Sequence, residues 1–125
     1  MKPTQKLILI ILVLTLTIIF IVGCAPKQTT YGKPIPTDAK ITKVSAVLAN
    51  IEKYSKEESV IEGVIGSMCP AGGYFFLQDE TGQIFVYNHP TNIYISAKPG
   101  TKVKVMGKVW STKQGIMFVG DGVSY

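Results

Sequence analysis

Phe75-Phe76-Leu77-Gln78-Asp79-Glu80-Thr81-Gly82-Gln83-Ile84-Phe85-Val86 is the stretch on which the fold turns. Two short runs rich in aromatic and β-branched residues flank Glu80-Thr81-Gly82, a tight turn with glycine where a positive φ is easiest. Each run is too short for a stable helix and has the composition of a strand. Asp79 with Gly82 reads as turn chemistry rather than catalysis. The stretch is therefore a β-hairpin, with strands over 74–79 and 83–88.

Outward from the hairpin the pattern stays β. Ser59 to Met68 reads as a preceding strand, and Gly63 and Gly66 suit a bend or bulge in it. Residues 89–100 form a longer connection containing Ile93, Tyr94 and Ile95 and closing on Pro99-Gly100. Thr101 to Trp110 alternates strongly, and Ile116 to Val119 follows a turn at 111–115, with the tail 120–125 able to extend it. Upstream, Thr37 or Asp38 can cap a helix on which Ile41, Val44, Leu48 and Ile51 recur at helical spacing, ending near Tyr54-Ser55. Five strands, a bent first strand and a long third-to-fourth connection predict a small five-stranded Greek-key barrel with one N-terminal helix. Closure into a barrel lets so short a chain bury a core without disulfides.

Three segments carry a resemblance. Val60-Ile61-Glu62-Gly63-Val64-Ile65-Gly66, the hairpin above, and Pro99-Gly100-Thr101-Lys102-Val103-Lys104-Val105-Met106-Gly107-Lys108-Val109 together resemble the OB-fold pattern over about residues 40–120. The chain also looks like extracytoplasmic OB domains of unassigned ligand. Some of these carry Cys-Pro-x-x-Gly-Cys-Trp between their first two strands. Here Cys69-Pro70-Ala71-Gly72-Gly73-Tyr74 keeps the first cysteine, the proline and the glycine turn, but lacks the second cysteine. The resemblance implies an OB-fold; it implies little about ligand, because this fold hosts many.

Strand periodicity assigns faces. Val103, Val105, Gly107 and Val109 alternate with Lys102, Lys104, Met106, Lys108 and Trp110, so the valines face the core and the second set faces outward. Leu77, Ile84 and Val86 point inward, leaving Tyr74, Phe76, Phe85 and Tyr87 on the outer face. Aromatic rings on these two strands lie where OB domains stack bases or sugars. They either bind a ligand there, with Lys104 and Trp110 as further contacts, or pack beneath the N-terminal helix or the tail.

A second constellation is smaller. Met68 ends the first strand, Cys69 sits in the loop after it, and His89 lies at the end of the third strand. Antiparallel pairing brings those ends near each other. A thioether, a thiolate and an imidazole suit copper; otherwise Cys69 is a buried thiol and His89 a solvent-facing side chain. No other cofactor is expected. His89 is the sole histidine, and no nucleophile motif or acid–base pair is present, so a binding module rather than an enzyme is expected.

The N-terminus sets location. Lys2 and Lys6 form a charged opening, and Leu7 to Val22 is an apolar run shorter than the ~20 residues of a membrane span. Ile21-Val22-Gly23-Cys24 fits a bacterial-type lipobox: cleavage after Gly23 and acylation of Cys24 with diacylglycerol and palmitate-type chains. This gives a signal peptide over 1–23, a lipidated tether over 24–37 rich in proline, and an OB-fold domain with its preceding helix over 38–125. The expected partners are membrane lipid through Cys24 and a protein or small ligand, on the extracytoplasmic face of a cell membrane.

Removing Lys2 and Lys6 from the 13 basic residues leaves 11 against 8 acidic ones, a net of +3, with no arginine. That mild charge argues against nucleic acid, which arginine-rich faces usually read. Single-stranded nucleic acid at the cell surface stays a lesser alternative. With Cys24 lipidated, Cys69 has no intrachain disulfide partner.

Overall fold

The computed structural model describes residues 2–19, 23 and 27–125. Cys24, the expected lipidation site, lies outside these residues, as do Ile21 and Val22; Gly23 is exposed. A first helix, α1 (Pro3–Ile19), leaves its apolar side chains from Leu7 to Leu14 in solvent. Among the described residues no helix is long and apolar enough to cross a membrane.

The remaining elements are β1 (Thr30–Gly32), α2 (Val44–Ala49), α3 (Ile51–Lys56), β2 (Ser59–Met68), β3 (Tyr74–Asp79), β4 (Gly82–Tyr87), a single 3-10 turn (His89–Thr91), β5 (Lys102–Thr112) and β6 (Gly115–Ser124). Strand β2 pairs antiparallel with β3 and with β5, β3 with β4, and β5 with β6. A short parallel contact, Val86 with Phe118 and Tyr87 with Val119, joins β4 to β6 and closes the ring. A five-stranded Greek-key ring closed in this way is an OB-fold barrel.

The hairpin register is the one its sequence calls for, with Phe76 opposite Phe85 and Leu77 opposite Ile84. A slip of one residue would turn Leu77, Ile84 and Val86 out to solvent. Instead they are buried with Ile61, Ile65, Phe75, Val103, Val105, Val109, Phe118 and Val123. The two ends of the barrel are stoppered differently. Val44 and Val47 of α2 close the end at the Asp79–Gly82 turn, while Ile93 and Ile95 close the end near Tyr74 and Tyr87.

Three expectations need correction. The single helix starting at Thr37 or Asp38 is two short helices broken at Asn50, and Ile41 instead bridges to Val60. Its cap comes from a distant turn: the Asp79 carboxylate accepts the Val44 N–H at 2.9 Å, and the Thr81 hydroxyl accepts the Ser45 N–H at 3.0 Å. Met106 keeps the outward face of β5 but is buried there. The alternation of the β5 valines holds, since the bulge opposite Met106 and Gly107 lies in β6; α3 packs against β5 and covers Met106 from outside. The fifth strand of the barrel is extended through the tail, as β6 over Gly115–Ser124. Finally, the tether does not run free to residue 37. Its segment β1 pairs with the end of β6, Thr30 with Ser124 and Gly32 with Gly122.

Candidate functional site

Strands β3 and β4 put Tyr74, Phe76, Phe85 and Tyr87 on one outer surface, and the rings touch. Centroid separations are 5.5 Å for Tyr74–Phe85, 5.2 Å for Phe76–Phe85 and 6.0 Å for Phe85–Tyr87. These are favourable spacings for tilted and offset aromatic pairs. The rings half-bury one another, and Tyr74 stays 39% exposed. Helix α2 meets β4 only at its turn end and α3 lies on β5, so the helices are spent on the barrel's end and on Met106. Strand β6 is part of the barrel wall. Packing beneath the helix or the tail therefore does not account for this face.

The sequence missed how far the face extends. His89 lies 5.0 Å from the Tyr87 ring and 6.3 Å from Tyr74, and Tyr94 meets it edge-on at 5.4 Å. The Tyr94 hydroxyl and His89 Nδ1 share a 3.2 Å hydrogen bond. The other side of the imidazole rests on Gly73, where a Cβ would come within 2.6 Å of Nε2. Gly72 beside it has φ +79 and donates to the Cys69 carbonyl at 2.9 Å while its own carbonyl accepts from Ile95 at 3.1 Å. The glycine pair thus lets the loop after β2 lie flat against the 88–95 segment. Alternation in Ile93-Tyr94-Ile95 was the available signal that Tyr94 points outward.

The other predicted contacts lie elsewhere. Lys104 is on β5, where its ammonium is 3.8 Å from Glu62, which also pairs with Lys102 at 3.2 Å. Trp110, 47% exposed, borders a shallow cleft of about 360 Å³ with Pro90, Lys108 and Asp121. It is one strand beyond β6 from the aromatic row. A further cleft, about 580 Å³, is an open seam between the 36–43 segment and α3, edged by lysine and glutamate side chains, with none of the aromatic row in its lining.

Met68 pairs with Phe75 and is partly buried, and Cys69 is a buried free thiol. Burial raises the Cys69 pKa, but the backbone N–H groups of Gly73, Tyr74, Ala71 and Gly72 outweigh it and hold the thiol below its ordinary value. His89 is engaged by Tyr94 and Gly73. Among the described residues no three side chains of histidine, cysteine, aspartate or glutamate gather to hold a metal ion. Asn88, between Tyr87 and His89, is fully buried, and its side-chain amide has no hydrogen-bond partner among the described residues.

Comparison with protein families finds no match, nor does comparison with curated proteins. Among solved structures the chain is similar to that of the hypothetical protein YgiW from E. coli. The identity is 15%, the TM-score 0.48, and the match covers 74% of this chain and 97% of that one.

Proposed function

We propose that the chain is a lipid-anchored binding module without catalytic activity, held outside the cytoplasm, that takes a ring-faced ligand on the outer surface of β3 and β4. The observation that carries this reading is the contiguous aromatic row, with Tyr74, Phe76, Phe85 and Tyr87 extended by His89 and Tyr94. Flat rings held rigidly by one another lose little entropy on contact with a sugar or apolar ring face. The net charge of +3 on the mature chain and the missing arginines favour an uncharged ring ligand over a nucleic acid. Anchoring is supported by the Ile21-Val22-Gly23-Cys24 motif behind an apolar helix that joins no core.

Amide NMR of residues 27–125, titrated with chito-oligosaccharides and with oligothymidylate, tests the binding reading. The expected result is shifts confined to residues 74–76, 85–89 and 94, with Tyr74→Ala weakening binding roughly tenfold, as loss of one stacking ring does. No shifts with either probe, or shifts away from this surface and indifferent to Tyr74→Ala, would remove the proposal. A preference for oligothymidylate with a steep salt dependence would replace the sugar-type ligand by single-stranded nucleic acid.

A further inference from the structure

The N-terminal segment is bound to the barrel almost from its start. The Thr29 N–H donates to the Tyr125 carbonyl at 2.8 Å, and the Tyr125 N–H returns the bond to Thr29 at 3.0 Å. Gln28 Nε2 donates to the Ser124 hydroxyl at 3.0 Å. Tyr31 stacks on Tyr125 with centroids 5.9 Å apart, and their hydroxyls share a hydrogen bond of 3.1 Å. Lys27 and Gln28 line one shallow cleft with Lys102, Lys104 and Tyr125. Three residues of chain reach about 10–11 Å when fully extended. Lys27 therefore stands no further than that from Cys24, close to one Debye length of about 8 Å in physiological salt.

That distance fixes which side of the barrel meets the bilayer. Lys98, in the turn leading into β5, is exposed, and it precedes Lys102 and Lys104. Glu62 lines that cleft and is shared between two of the lysines. We infer that Lys27, Lys98, Lys102 and Lys104 form a docking face for an anionic bilayer surface, so that the barrel sits directly on the membrane instead of swinging on a tether. This rests on the lipid-anchor reading above. The hairpin tip at 112–115 lies at the opposite end of β6 from the Thr30–Ser124 seam and points away. Each lysine near an anionic surface favours this orientation on the order of fivefold.

The test uses the mature, acylated full chain in nanodiscs carrying a gadolinium-headgroup lipid, with amide broadening read residue by residue. In phosphatidylglycerol discs the broadening is expected to peak at 27–29 and 98–104 and to be weakest at 112–115. Pure phosphatidylcholine discs, or Lys98→Gln with Lys102→Gln, should lose most of the increment over 98–104. Melting temperatures of the variant, unchanged because both side chains are exposed, would show that its fold is intact. Acylated protein with uniform broadening, or a maximum at 112–115, overturns the docking face while leaving the anchor standing. An N-terminal peptide whose mass lacks acyl chains overturns the anchor, and this inference with it.

Discussion

Removing the Asp79 carboxylate should loosen a turn and a helix at once. One oxygen, Oδ1, accepts the Thr81 N–H at 2.7 Å, the Thr81 hydroxyl at 2.6 Å and the Gly82 N–H at 3.1 Å. The other, Oδ2, caps α2 through Val44. An N-cap is worth about 1 kcal/mol and a hydrogen bond to a charged group about 1.5–3. Asp79 is partly exposed, so the full sum does not apply, and about 2–3 kcal/mol is expected for Asp79→Ala. For a domain of this size that is a drop of roughly 8–24 °C in melting temperature. Burial raises the Asp79 pKa, but the bonds from Thr81, Val44 and Gly82 outweigh it and hold the carboxyl below its ordinary value. A depressed folded pKa stabilises the protein above the unfolded value of about 3.9, and that contribution is lost as pH falls through the folded value. Thermal and urea melts followed by circular dichroism at pH 7 and below pH 4 would therefore show the gap between wild type and Asp79→Ala narrowing in acid. Asp79→Asn, which keeps an acceptor, should fall between them. A gap under about 0.5 kcal/mol at pH 7, the scale of an ordinary surface substitution, would refute the capping role. So would a gap undiminished in acid.

Gly73→Ala should displace the imidazole of His89, because the new Cβ meets its ring; loss of the aromatic-face amide shifts seen with ligand, in a chain that still melts cooperatively, is the expected outcome. Asn88→Asp would place a carboxylate in a fully buried position without a partner among the described residues. Its pKa would be raised, so the variant should lose several kcal/mol at pH 7 and recover part of that as pH falls toward 4, checked by urea melts at both values. Anaerobic Cu(I) titration beside Cys69→Ser addresses the Met68, Cys69 and His89 set. With His89 already engaged by Tyr94, no stoichiometric binding is expected, and a one-to-one complex lost in Cys69→Ser would refute that expectation.

The barrel was legible because its signals are local. Alternation in β3, β4 and β5 placed Leu77, Ile84, Val86 and the valines of β5 correctly, and Gly82 marked the turn. The aromatic row followed from the same alternation. What escaped depends on contacts between residues far apart in sequence. Thr37 and Asp38 looked like caps because a cap is sought next to its helix, whereas Asp79 serves α2 from 35 residues away. Met106 lies on the outward face that alternation assigns, but α3, distant in sequence, covers it there. Proline-rich residues 24–37 had no periodicity of their own, so β1 could be recognised only from the edge of β6 that it completes. Lys104 and Trp110 share a strand face with each other, but which neighbour they would meet was a matter of barrel closure.

The seam between β1 and β6 has a consequence for the order of assembly. Residues 122–125 leave the ribosome after every other residue that builds the barrel, yet they are what residues 29–32 must find. Pairings this distant in sequence form late and slowly, since the loop between them must first be closed. The earlier part of the chain cannot shut itself into a finished barrel until β6 has been made, and β1 has no edge to complete before then.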